Sequence, residues 1–204
     1  MRALLTGFDS FAGMSVNPSE MIIEAITGHL KSAGGVQIYT EVLPTQFLAA
    51  GDRMRHLIER FEPEAVIGLG VAAEAASIRL ERVALNLDDS DVADNAGDTA
   101  SGRLVVSDGP VAYWSTLPLD PMLKVLRAHR IPADISNHAG TYVCNHVFYV
   151  ARHEIETLRG RAKCGFIHVP LLSEQGPNRG LPLAKMIEAI GLCLGVIQDS
   201  QEMV

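Results

Sequence analysis

Short apolar runs alternate along this chain with segments of helical period, and that alternation limits its fold more than any other feature. Residues 2–6, 36–43, 65–70, 78–87, 133–136 and 165–169 read as strands. Several are apolar throughout, as strands buried on both faces are. Residues 17–34, 45–61, 120–129, a segment from Cys144 to about residue 158, and 183–197 read as helices. Asn17 is a capping residue, Pro18 suits the first helical position and Glu20 stands three residues after the cap. Thr45 is placed to cap the next helix. Alternating strands and helices, with no repeat and no linker, predict one α/β domain over residues 1–204, with helices on both faces of a largely parallel sheet. Functional residues in such folds gather at strand ends and in the turns beyond them. Residues 88–102 break the pattern. They are rich in Asp, Asn, Gly, Ser and Thr and read as a long loop, the kind that is functional or mobile.

Composition narrows the class. Of 204 residues, 48% are hydrophobic and 20% charged, enough apolar material for a core and too much for disorder. The net charge is −7 and the Lys and Arg residues are scattered, which argues against nucleic acid as a partner. The first apolar run is too short for a signal peptide. The longest apolar stretch, residues 181–197, is interrupted by Lys185 and Glu188 and loosened by Gly191 and Gly195, so no membrane span is predicted. Its helix reads as core or subunit interface. A cytoplasmic location follows as the default. Cys144, Cys164 and Cys193 fit neither a disulfide framework nor a zinc-site spacing, and read as reduced thiols. Cys164 and Cys193 lie in apolar runs and read as core.

Cys144 is different. It follows the small, flexible turn Ala139-Gly140-Thr141 near the start of a helix, where backbone N–H groups and the helix dipole favour a thiolate. A nucleophilic cysteine needs a base, and the base needs an orienting group. His168, at a strand end, is suited to the first role, with His138, His146 and His153 as competitors. His146 lies two residues beyond Cys144, so on a helix it points away from the thiol. Glu81 sits in the apolar run 80–86, where a buried carboxylate must be paired. Spacing alone also allows a structural salt bridge from Glu81 to Arg79 or Arg82. The Gly7–Gly13 region lacks the spacing of a phosphate loop. The acidic run 88–98 lacks the closing Glu of an EF-hand.

Four segments carry a resemblance. Thr6-Gly7-Phe8-Asp9-Ser10-Phe11-Ala12-Gly13 with Val16-Asn17-Pro18-Ser19, then Leu80-Glu81-Arg82-Val83-Ala84-Leu85-Asn86, then Ala139-Gly140-Thr141-Tyr142-Val143-Cys144-Asn145-His146, and finally Gly165-Phe166-Ile167-His168-Val169-Pro170 with Glu174-Gln175, occur in this order. Together they resemble the motifs of the pyroglutamyl peptidase I (pyrrolidone-carboxylate peptidase) family. The resemblance implies a single-domain α/β/α sandwich with a largely parallel, mixed central sheet. It implies a cysteine exopeptidase acting on pyroglutamyl peptides without metal or cofactor, often as a homodimer or homotetramer. It assigns Cys144 as nucleophile, His168 as general base and acid, and Glu81 as the orienter of the imidazole. It implies an oxyanion site from backbone N–H groups near Cys144. It also implies a lactam pocket from Phe8, Phe11 and Tyr142, with Asn17, Val71 and Val143 beside them. Val71 stands where the family often carries Gln, Asp91 where it commonly carries Arg, and Tyr142 where Phe is common. The first two departures leave open another small N-acyl amide as substrate, or a homologue that binds without turnover.

Overall fold

The computed structural model describes residues 1–29, 32–33, 35–176 and 178–202. Its strands are β1 (Arg2–Phe8), β2 (Ser32–Ala33), β3 (Val36–Leu43), β4 (Ala65–Val71), β5 (Ile78–Leu85), β6 (Asp88–Ser90), β7 (Ala100–Arg103), β8 (Ala112–Trp114), β9 (Ala133–His138) and β10 (Lys163–Val169). Its helices are α1 (Pro18–His29), α2 (Phe47–Phe61), α3 (Leu119–Ala128), α4 (Val143–Thr157) and α5 (Leu183–Glu202).

Strands β3, β1, β4 and β10 run parallel, in that order, and β5 pairs antiparallel with β10. Beyond β5 lie β9, parallel to it, and the short antiparallel β8. The sheet is therefore largely parallel but mixed. Side chains alternate across it, as the two-residue period of a strand requires. Ala3 and Leu5 of β1, Ile67 and Leu69 of β4 and Ile167 and Val169 of β10 pack under α1, α3 and α5. Leu4, Phe8, Val66 and Phe166 pack on the opposite face, with residues of α2 and α4. Three layers result, α/β/α, with a core on each side of the sheet.

Most elements fall where the periodicity places them, and three differences have physical causes. Thr45 does not cap α2. Gln46 is at the N-cap without a side-chain bond, and Asp94 Oδ2 accepts the Phe47 N–H at 2.9 Å from 47 residues away. The polar stretch 88–102 is not all loop, because β6 and β7 pair as a two-stranded hairpin. Hydrogen bonds to neighbouring elements support that hairpin where apolar periodicity does not. β8 is three residues long, below the length at which alternation is legible. Helix α5 buries Met186, Ala189, Ile190, Cys193 and Ile197 in the core. Among the described residues no helix is long and apolar enough to cross a membrane. The helix read to residue 34 is overturned at its end: α1 is described to His29, residues 32–33 form strand β2 paired antiparallel with β3, and residues 30, 31 and 34 lie outside the description.

Candidate active site

The site begins with glycines. On β4, a Cβ at Gly70 would stand 2.8 Å from the Cys144 Sγ and 3.0 Å from the Phe166 ring. A Cβ at Gly68 would stand 2.5 Å from the same ring. Two residues without side chains thus open a trough in the middle of the sheet, and Phe166 and the thiol of α4 occupy it. The parallel register sets Phe166 beside Gly68 and His168 beside Gly70. On the other edge of β10, Glu81 of β5 pairs with Phe166 and Arg79 with His168. Glu81 is therefore the diagonal neighbour of His168 on one sheet face, within reach of its side chain.

The geometry follows from that register. Glu81 Oε1 lies 2.8 Å from His168 Nδ1. Glu81 is 1% exposed and His168 7%. The second carboxylate oxygen, Oε2, is buried with no hydrogen-bond partner among the described residues, so His168 is the group that balances this charge. Burial by itself pushes the His168 pKa down. The adjacent thiolate of Cys144 and the hydrogen bond to it, with the bond and charge of Glu81, outweigh burial and raise it to about 9. The imidazole thus holds its proton at neutral pH, between the Cys144 sulfur and the Glu81 carboxylate.

Cys144 is presented by the start of α4. Gly140, at φ +78°, takes the left-handed conformation that turns the chain out of β9. His138 Nδ1 accepts the Gly140 N–H at 3.1 Å and steadies the turn. Tyr142 is the extended N-cap residue and makes no capping bond. The first N–H groups of a helix have no intrahelical acceptor, so the turn of α4 that carries Cys144 offers donors for an anion. Asn145 anchors the turn: its amide accepts the Leu85 N–H and donates to the carbonyls of Leu85 and Leu87, each at 2.9 Å.

The competing histidines are engaged elsewhere. His146 Nδ1 pairs with Asp88, and His153 Nδ1 bonds the Tyr113 hydroxyl. Arg82, read as a possible partner of Glu81, instead donates to Asn137 at 2.7 Å. Burial raises the thiols of Cys164 and Cys193 to about 12, so they stay protonated in the core. Among the described residues no group of His, Cys, Asp and Glu is arranged to hold a metal ion.

A narrow pocket, with a cavity volume of about 10 Å³, adjoins Cys144. Phe8, Phe11, Asn17, Thr45, Val71, Tyr142 and Val143 line the rest of it. All six residues expected there from sequence are present, and Thr45 is the addition. The Phe11 and Tyr142 rings are in contact, tilted by 38° with centroids 5.9 Å apart. The Asn17 amide is committed to the scaffold: it donates to the Asp9 carbonyl and accepts from the N–H and hydroxyl of Ser19, as a cap of α1. Thr45 Oγ1 donates to the same Asp9 carbonyl, a tie between residues 36 apart that no local pattern signals. Asp91 is exposed and is not part of the lining. A larger cleft opens where β1 and β10 begin, around Arg2, Pro63, Arg161 and Lys163. It contains no histidine or cysteine and lies at the opposite end of the strands from the thiol.

A family model described as pyroglutamyl peptidase matches residues 1–198. The chain belongs to the pyroglutamyl peptidase family. It is 43% identical over 175 residues to a pyrrolidone-carboxylate peptidase of Bacillus cereus strain Q1, covering 86% of this chain and 80% of that one. It is 41% identical over 197 residues to the pyrrolidone-carboxylate peptidase of Bacillus thuringiensis subsp. konkukian, covering 95% and 91%. Among solved structures, a mutant pyrrolidone carboxyl peptidase from the hyperthermophile Pyrococcus furiosus superimposes with a TM-score of 0.92 at 33% identity, over 98% of this chain and 99% of that one. The pyroglutamyl peptidase I of Bacillus amyloliquefaciens does so with a TM-score of 0.91 at 34% identity, over 96% and 94%. Family membership accounts for the order of the four sequence motifs, and the sheet register explains why motifs so far apart along the chain meet.

Proposed function

We propose that this protein is a cysteine exopeptidase that removes N-terminal pyroglutamate from peptides, with Cys144 as nucleophile, His168 as general base and acid, and Glu81 as the group that orients the imidazole. The observation that carries this reading is the buried Glu81–His168 pair beside a thiol that opens onto a small, aromatic-walled pocket. The aromatic lining from Phe8, Phe11 and Tyr142 suits a flat, uncharged five-membered lactam.

The chemistry is acyl transfer. The Cys144 thiolate attacks the pyroglutamyl carbonyl carbon and a C–S bond forms. The carbonyl oxygen gains charge opposite the N–H donors of the first turn of α4, which stabilise it. His168, protonated at neutral pH, donates to the departing amine as the C–N bond breaks. Water then attacks the thioester, His168 takes the water's proton, the C–S bond breaks, and 5-oxoproline leaves as the Cys144 thiolate is restored beside the protonated imidazole. Every step uses protein groups, the substrate and water.

This reading includes a reducing, cytoplasmic setting, which would maintain Cys144 as a thiol. It also includes a homodimer or homotetramer; the exposed Val111 and Trp114 beside and on the short strand β8 support assembly. Turnover of a pyroglutamyl-coumarin amide tests the activity. The wild type is expected to release coumarin, and Cys144→Ser to be slower by about 10³-fold or more. Equal rates for the two would overturn the assignment.

A further inference from the structure

The hairpin of residues 88–103 is tied to the pocket by bonds that the reaction itself does not use. At its base, Asp88 is 1% exposed, and both of its carboxylate oxygens lie against His146 Nδ1, at 2.9 and 3.1 Å. His146 is buried on the first turn of α4, two residues past the nucleophile. Its Nε2 faces Gly51 of α2, where a Cβ would stand only 2.6 Å away. Beside this pair, Asp89 and Thr141 exchange two hydrogen bonds, backbone N–H to carbonyl at 2.9 Å and hydroxyl to carbonyl at 2.6 Å. Further along, the Tyr142 hydroxyl donates to the Ala93 carbonyl at 3.1 Å. The Tyr142 ring is a wall of the pocket.

We propose that this hairpin is a positioning element for the substrate pocket, fastened to α4 by the buried Asp88–His146 pair and holding the pocket wall through the Tyr142 hydroxyl. The inference rests on the functional reading above and deepens it. His146 and Asp88 touch neither the thiol nor the reacting carbonyl. They are positioning residues that set the outer boundary of the lactam site. The phenol ring of Tyr142 reaches the pocket from one side and the hairpin from the other. A displaced hairpin therefore moves a binding surface. The Glu81–His168 pair on the sheet and the Asn145 anchor of α4 stay in place.

The consequence is a division between binding and chemistry. Tyr142→Phe keeps the ring and removes the tie to Ala93. Its KM for a pyroglutamyl-coumarin amide is expected to rise about three- to tenfold, the effect of one hydrogen bond, with a much smaller change in kcat. Asp88→Asn is expected to shift KM in the same direction. In the double variant the two effects should fall short of additive, because both act through the hairpin. A role confined to folding would lower the melting temperature and the active fraction while leaving KM alone. Unchanged KM in Tyr142→Phe beside an active wild type overturns the inference and leaves the peptidase reading standing. Loss confined to kcat does the same. If Asp88→Asn does not fold, Tyr142→Phe decides the question alone. A wild type without turnover overturns both.

Discussion

His168 carries a proton whose place in the reaction is open to titration. Its pKa is raised to about 9, with the neighbouring thiolate and Glu81 overcoming burial. The kcat/KM of the proposed reaction should therefore fall on the alkaline side with a midpoint near pH 9, as His168 loses the proton that the leaving amine needs. In Cys144→Ala the thiolate is gone, and an NMR titration of the His168 ring should move toward its ordinary value of 6.5. An unmoved midpoint in that variant would show that the thiol is not what holds the proton. Glu81→Gln keeps the shape and removes the charge. It is expected to lower kcat by about 10² to 10⁴-fold, the scale of disturbing the orienting carboxylate of a triad. At this scale the residue types of the site were readable from sequence. A thiol after a small turn, a histidine at a strand end and a carboxylate inside an apolar run each stand out locally. Their partnership is implied by the family resemblance but by no local pattern, because Glu81 and His168 lie 87 residues apart.

Between elements, the deciding contact is strand β4 against helix α4. Gly70 leaves the space that the Cys144 sulfur and the Phe166 ring fill. A methyl group there meets both, and neither neighbour is the loose end of a long side chain. Gly70→Ala should displace the thiol and lower kcat by about 10²-fold, the cost of a misplacement of about 1 Å. Steady-state kinetics measured below the melting temperature checks this. Retention of full kcat would mean that the trough has slack. Helix α2 shows the limit of local reading. Thr45 is a good capping residue, yet Asp94 takes the Phe47 N–H and Thr45 bonds back to Asp9. Caps are legible when the partner is three residues away and hidden when a distant loop supplies it. The hairpin 88–103 was hidden for a similar reason. Polar contacts to α2, α4 and the loop after β1 hold it, and such contacts leave no hydrophobic period.

Across the whole molecule, the buried titratable groups act together on stability. The folded pKa of His168 is raised from 6.5 to about 9, so its contribution is present below pH 6.5 and is lost as pH rises toward 9. The thiols of Cys164 and Cys193 are raised from 9.0 to about 12 by burial, so their contribution is present below pH 9 and is lost between pH 9 and 12. Both trends have one sign. Urea unfolding at stepped pH should show stability falling from about pH 7 into the alkaline range, and a flat profile would contradict it. The same burial predicts selective labelling: iodoacetamide should modify Cys144 alone in the native protein and all three thiols after denaturation.

The alternation of strands and helices, the two-residue period that loads both sheet faces and the identity of the reactive side chains were decided by sequence, since each depends on neighbours within a few residues. The pairing of Glu81 with His168, the trough at Gly68 and Gly70, the cap from Asp94 and the hairpin beside the pocket were decided by tertiary structure. They depend on strand register and on contacts between segments far apart in the chain, and those distances exist only once the sheet has formed.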